Sequence, residues 1–165
     1  FPRNQYNERY LGICFSEGIT AYRGNERSWL YGARNREQET TTRRALRLLD
    51  TWFNLSGYNC HTLSIPGPGQ PLDIPASRFL RPWNKRWRAL EGFRLRRITK
   101  AMDHAARTGK VFHLWWHPHN FGREVEKNIA FLERILQHYQ RLQQQFGFES
   151  LTMGELASRT VRNDK

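Results

Sequence analysis

The segment 110–147 limits most strongly what this chain can fold into. It opens with a short apolar and aromatic run over residues 110–117 that Pro118 closes, which is typical of a β-strand. Apolar residues then recur at three- and four-residue steps up to Gly147, which predicts an amphipathic helix with its apolar stripe in the core. These residues are Ile129, Leu132, Ile135, Tyr139, Leu142 and Phe146. A strand that leads into such a helix favours an α/β layer or barrel built on parallel strands.

The rest of the chain extends this alternation. Local patterns predict a short helix around Tyr10 to Glu17, a strand over 19–22, a helix over 38–56 and another over 84–107. We expect Arg43, Arg44 and Arg47 to form the polar side of the second of these helices. Residues 58–82 are rich in Pro and Gly, which predicts a long ordered loop acting as a rim or lid rather than a helix or central strand.

Composition restricts the class of protein further. The 165 residues carry 27 Lys and Arg against 15 Asp and Glu, so the net charge of +12 should attract polyanions. No apolar run is long enough to span a membrane, and Cys14 and Cys60 lack the spacing of a zinc knuckle. The opening residues contain neither an initiator Met nor a signal peptide, so we expect a piece of a longer protein. The sequence assigns no compartment, with the cytoplasm slightly favoured.

Three histidines, His113, His117 and His119, lie within seven residues. On a strand, four residues span roughly 13 Å, so His113 and His117 are too far apart to share a metal ion. Strand alternation places His113, Trp115 and His117 on one face, and His117 at the carboxyl end of its strand. Sites of α/β proteins form at such ends, and a histidine there can serve as a general acid or be purely structural. Trp115 can line a sugar-stacking wall or pack in the core.

The run Val-Phe-His-Leu-Trp-Trp-His-Pro-His-Asn-Phe-Gly at 111–122 resembles the carboxyl-terminal portion of NodB-type polysaccharide deacetylases, as do 128–132 and 151–156. The opening Phe-Pro-Arg-Asn-Gln and the later Tyr22-Arg23-Gly24 are similar to the middle of that domain. The resemblance implies a distorted (β/α) barrel that removes acetyl groups from amino sugars of a glycan. It also implies a divalent metal, usually zinc. Residues 1–165 would then be the carboxyl-terminal half of the catalytic domain, and the metal would be held by a missing amino-terminal half outside this chain.

The resemblance also implies roles for individual residues. His117 matches the histidine that protonates the leaving amine, and Arg3 matches the arginine that orients a catalytic Asp. Asn4, Tyr22, Arg23 and Trp115 are expected to contact substrate. The family usually has an aliphatic residue where this chain has Trp115, which changes the expected shape of the acetyl pocket.

The basic segment 78–100 leaves alternatives open. Its arginines alternate with Trp83, Trp87 and Phe93, and such a composition binds single-stranded nucleic acid or acidic glycans, yet a charged helix is most often a solvated face or pairs with acids of a neighbouring part. Solvation or pairing with the missing half is the first expectation, acidic glycan the second, and nucleic acid the least favoured. The chain as a whole is therefore expected to be a deacetylase, with an Arg-rich binding module or a non-catalytic deacetylase relative as alternatives.

Overall fold

The computed structural model describes residues 6–32 and 40–162, without the side chain of residue 161. The chain is a mixed α/β protein, which confirms the predicted class at that level. Its helices are α1 (Leu11–Ser16), α2 (Thr41–Leu49), α3 (Glu91–Thr108), α4 (Val125–Phe146) and α5 (Met153–Arg162). Its strands are β1 (Ala21–Gly24), β2 (Leu72–Pro75), β3 (Arg78–Phe79) and β4 (Leu114–Trp115). Short 3₁₀ helices cover Glu8–Tyr10, Lys85–Leu90 and Pro118–Phe121.

The described strands form two parallel pairs around one central segment, residues 72–80. Its first half is β2, which pairs with β1 so that Ala21 faces Leu72 and Gly24 faces Pro75. Its second half is β3, which pairs with β4. Because both strand pairs are parallel, the carboxyl ends of the two strands lie side by side within each pair.

The prediction of a loop over 58–82 is wrong for this central segment. Leu72, Ile74 and Leu80 are almost completely buried, so these residues form core strands and not a rim or lid. The strand tolerates Pro75 because Leu72 and Ala76 donate their N–H groups to β1. In the alternating pattern of a strand, the missing N–H of Pro75 therefore faces away from β1.

The main core joins the end of the central segment to helices α3 and α4, which pack against each other. It contains Leu80, Ile98, Met102, Phe131, Ile135 and Leu142. Both helices end at a glycine with positive φ, Gly109 at 62° and Gly147 at 64°, which confirms the two predicted helix ends. The expected core stripe of α4 is only partly right, because Ile129 and Phe146 are exposed.

Helix α2 is shorter than predicted, and its arginines are not all on a polar face. Thr40 caps its start by accepting a hydrogen bond from the N–H of Arg43. The Arg43 side chain is buried and donates to the backbone oxygens of Trp29, Leu30 and Gly32. It thereby fixes the turn before residue 33 to the helix, and its predicted solvent-facing role is wrong.

Among the described residues, no helix is both long and apolar enough to cross a bilayer.

Candidate functional site

Three of the predicted site residues meet near the carboxyl ends of the strands. His117 lies two residues beyond the end of β4 and directly precedes the 3₁₀ helix Pro118–Phe121. The centroid of its ring lies 5.3 Å from that of Trp115, in an edge-to-face arrangement. The guanidinium carbon of Arg23, on β1, lies 3.9 Å from the Trp115 ring centroid. The structure therefore places Arg23, Trp115 and His117 side by side across the strands. We call this group the His117 cluster.

The Trp115 ring is half-buried and already has neighbours. Arg23 makes a cation–π contact with it, and the ring of Phe79 lies 4.6 Å away. A sugar would have to displace one of these groups to stack on Trp115. The ring consequently acts as a wall that holds Arg23 and His117, rather than as an open stacking platform.

Phe79 belongs to the His117 cluster although the sequence did not indicate it. It is the last residue of β3, and its ring centroid lies 6.0 Å from that of His117. Phe79 was not a candidate because it lies in the segment 58–82, which the sequence predicts to be a loop. An aromatic residue at the carboxyl end of a recognised strand would have been a candidate.

His117 itself is exposed and stacks on His119, with 5.1 Å between the ring centroids and 17° between the planes. The exposed ring is therefore placed where it can contact a molecule bound beside the strands.

Two further predicted residues have different positions. Tyr22 precedes Arg23 on β1, so strand alternation directs it to the opposite face. Its hydroxyl donates to that of Tyr6 at 3.4 Å, and burial together with this bond raises the pKa of the Tyr22 phenol. The structure thus does not bring Tyr22 to the His117 cluster. Arg3 and Asn4 lie outside the described residues.

His113 is tied to the central segment. Its backbone N–H donates to Ser77 Oγ at 2.9 Å, and its ring Nδ1 lies 3.4 Å from the carbonyl oxygen of Ile74. Burial lowers the pKa of His113, so the ring is neutral at pH 7. Its backbone oxygen accepts from the N–H groups of Ser77 and Arg78, so His113 connects the start of β4 to the central segment.

Cations and carboxylates meet in the interior beside the cluster. Asp50 is completely buried and accepts hydrogen bonds from Arg78 at 3.1 Å, Tyr31 at 3.1 Å and Ser56 Oγ at 2.8 Å. Arg97 approaches it to 3.5 Å. Burial alone would raise the pKa of Asp50, but Arg78, the Ser56 hydrogen bonds and Arg97 hold it below its ordinary value.

Glu26 lies near Arg78, Arg97 and Asp50, but its pKa is shifted in the opposite direction to that of Asp50. Burial raises the pKa of Glu26 to about 8, against the opposing pull of Arg78. Its carboxyl accepts one hydrogen bond, from the Asn59 amide at 3.3 Å. Glu26 is therefore mostly protonated at neutral pH, while Asp50 carries the negative charge that Arg78 and Arg97 share.

The basic segment is divided between interior and surface. Arg78, Arg94 and Arg97 are buried and paired with acids of this chain, so the first expectation, solvation or pairing with the missing half, is wrong for these three. Others are exposed: Arg81, Lys85, Arg86, Arg88, Arg96 and Lys100. Within residues 6–32 and 40–162, no group of three or more His, Cys, Asp or Glu side chains is arranged to hold a metal ion.

Comparisons of the chain with family models, with curated proteins and with solved structures find no match.

Proposed function

We propose that this chain is part of a polysaccharide deacetylase that removes acetyl groups from the amino sugars of a glycan. The observation that carries the proposal is the exposed His117 at the carboxyl end of β4, held against Trp115 and Phe79. The resemblance of residues 111–122 to the last motif of NodB-type enzymes supports it. A distorted barrel completed by an amino-terminal half belongs to the same proposal.

The chemistry requires a proton at a defined point. Water adds to the acetyl carbonyl, the C–N bond then breaks, and the departing amine must take up a proton. A histidine side chain within reach of the departing nitrogen can give that proton. His117 is proposed as this general acid, and Arg23 and Trp115 as the groups that keep its ring in place and border the substrate.

The proposed enzyme needs a divalent metal, taken to be zinc, whose chemistry is to activate the attacking water. As the resemblance implies, its ligands are proposed to lie outside this chain. The role proposed for Arg3, to orient a catalytic Asp, likewise concerns the completed domain. The roles of His117, Trp115 and Arg23 involve only this chain's own atoms.

The test is acetate release from N-acetylglucosamine oligomers by the protein that contains this chain. His117→Ala should lower kcat by roughly 10² to 10⁴ with little change in KM, because the proton is needed only in the transition state. An activated aryl acetate needs little protonation of its leaving group and should restore most of the rate. His138→Gln, on α4, is the matched control and should retain wild-type activity. Full activity of His117→Ala, or loss of rescue by the aryl ester, would contradict the assignment.

A further inference from the structure

A cleft of about 160 Å³ lies between the end of α2 and the segment that follows β3. We call it the tryptophan cleft, since Trp52 and Trp87 form part of its wall together with Arg81, Asn84 and Arg94. Drug-sized ligands occupy cavities of about 300 to 1,000 Å³, so this cleft suits one small ring.

The two tryptophans give the cleft an aromatic side. Their ring centroids lie 5.1 Å apart with 48° between the planes. The backbone of Trp87 leaves the helical conformation, with φ −112° and ψ 15°, which kinks the 3₁₀ helix there. Trp87 remains half-buried, so part of its ring is open to a molecule in the cleft.

The polar groups of the cleft are mostly donors. Asn84 Oδ1 already accepts a hydrogen bond from the N–H of Arg86, and Glu91 Oε2 accepts one from the Arg94 guanidinium. By contrast, the indole N–H of Trp52 and the Nε of Arg94, both buried, have no acceptor among the described residues. The exposed Arg81 guanidinium makes no ion pair with any described residue. A ligand for this cleft should therefore bring acceptors, and an anionic one fits best.

Charge around the cleft agrees with this. Between residues 40 and 100, all of which the structure describes, the acids are Asp50, Asp73 and Glu91. Each is bonded to an arginine of this chain, namely Arg78, Arg27 and Arg94 in that order. The exposed basic residues near the cleft consequently have no acidic partner in that segment. Their field favours a negatively charged ligand.

The cleft is linked to the His117 cluster along the chain. The β3 strand ends at Phe79, whose ring contacts that of His117, and Arg81 follows two residues later. A chain of linked sugars that passes His117 can therefore continue toward Arg81 and Trp87.

We propose that the tryptophan cleft binds a uronate residue of the substrate, so that the glycan is acidic and carries carboxylates near its acetylated amino sugars. Arg81 would pair with the carboxylate, while Trp87 contacts the sugar ring. This inference rests on the proposed deacetylase function.

The experiment compares two oligosaccharides that both carry N-acetylglucosamine. Hyaluronan oligomers also contain glucuronate, whereas chitin oligomers are neutral. Titration calorimetry with the full chain should show tighter binding of the hyaluronan oligomer, reduced about tenfold by Arg81→Gln, as expected for one charged hydrogen bond. Trp87→Ala should weaken both oligomers. Arg107→Gln, at the far end of α3, is the matched control and should leave both affinities unchanged.

The outcomes separate this inference from the proposed function. Equal affinity for the two oligomers, or no effect of Arg81→Gln in a variant with wild-type circular dichroism, would overturn the uronate site even if acetate is released. Binding of hyaluronan that depends on Arg81, together with no acetate release from either oligomer by the protein that contains this chain, would support the site and contradict the deacetylase. Tighter binding of polyadenylate than of hyaluronan, also dependent on Arg81, would identify a nucleic-acid site and overturn the uronate assignment.

Discussion

Replacing Asp50 by alanine should destabilise the fold more than replacing any other acid among the residues that the structure describes. The Asp50 carboxylate has no exposed surface and is the shared counter-charge of Arg78 and Arg97. It also accepts hydrogen bonds from the backbone N–H groups of Leu55 at 2.9 Å and Ser56 at 2.8 Å. Alanine would leave two buried guanidinium groups without a negative partner.

The magnitude follows from that geometry. Removing one member of a buried ion pair costs about 3 to 5 kcal/mol, because the remaining charge stays buried without compensation. For a chain of this size, 1 kcal/mol shifts Tm by about 2 to 4 °C, so Asp50→Ala should lower Tm by about 6 to 20 °C. Asp50→Asn keeps an oxygen acceptor for the backbone and should cost less than Asp50→Ala.

Urea unfolding followed by circular dichroism measures the effect as a shift of the midpoint at constant m-value. Asp103→Ala is the matched control, since Asp103 forms a partly exposed pair with His138 and should contribute less than about 1 kcal/mol. Because the pKa of Asp50 is lowered on folding, its stabilisation is present above the unfolded pKa and is lost as pH falls through the folded value. An Asp50→Ala protein within 1 kcal/mol of the wild type would refute the reasoning.

Three further substitutions test other features. The raised pKa of Glu26, about 8, means that its stabilisation is complete below the unfolded pKa and is lost as pH rises through 8. The free energy of unfolding of the wild type should therefore fall by up to about 4 kcal/mol between pH 5 and 8, and Glu26→Gln should remove this decrease. Equal slopes of unfolding free energy against pH in the two proteins would contradict this. Asn128→Ala should cost about 1 to 3 kcal/mol in urea unfolding, because Asn128 accepts from the N–H of Trp83 at 2.6 Å and is buried. Gly24→Ala should lower Tm, since a Cβ there would collide with the Asp73 carboxylate, and Asp73→Ala in the same chain should restore much of the loss.

The sequence predicted those parts of the fold that depend on local pattern. Helices α3 and α4 end before Gly109 and Gly147 as predicted, whereas α3 begins at Glu91 and not at residue 84. The segment 72–80 was missed because its prolines weigh against a strand in any local view. Its place was decided by pairing with β1 and β4, which are far away in sequence.

The candidate site shows the same division. Alternation placed Trp115 and His117 on one side of a strand, and the structure brings their rings together. Arg23 joins them only through the packing of β1, and Phe79 through the unrecognised strand. Arg97 is buried because its partner Asp50 lies in the interior, whereas Arg96 is exposed. Asp50 is distant in sequence, so local pattern could not distinguish the two arginines.

The central segment also has a consequence for how the chain reaches its fold. Its partners are distant: Leu72 pairs with Ala21, and Arg78 with Leu114. Parallel strands so far apart in sequence form slowly, because the loop between them must be ordered before any contact is gained. The α3 and α4 helices are close in sequence and contact each other directly. We therefore expect refolding to begin with this helix pair, and the step that limits its rate to be the insertion of residues 72–80 between the outer strands.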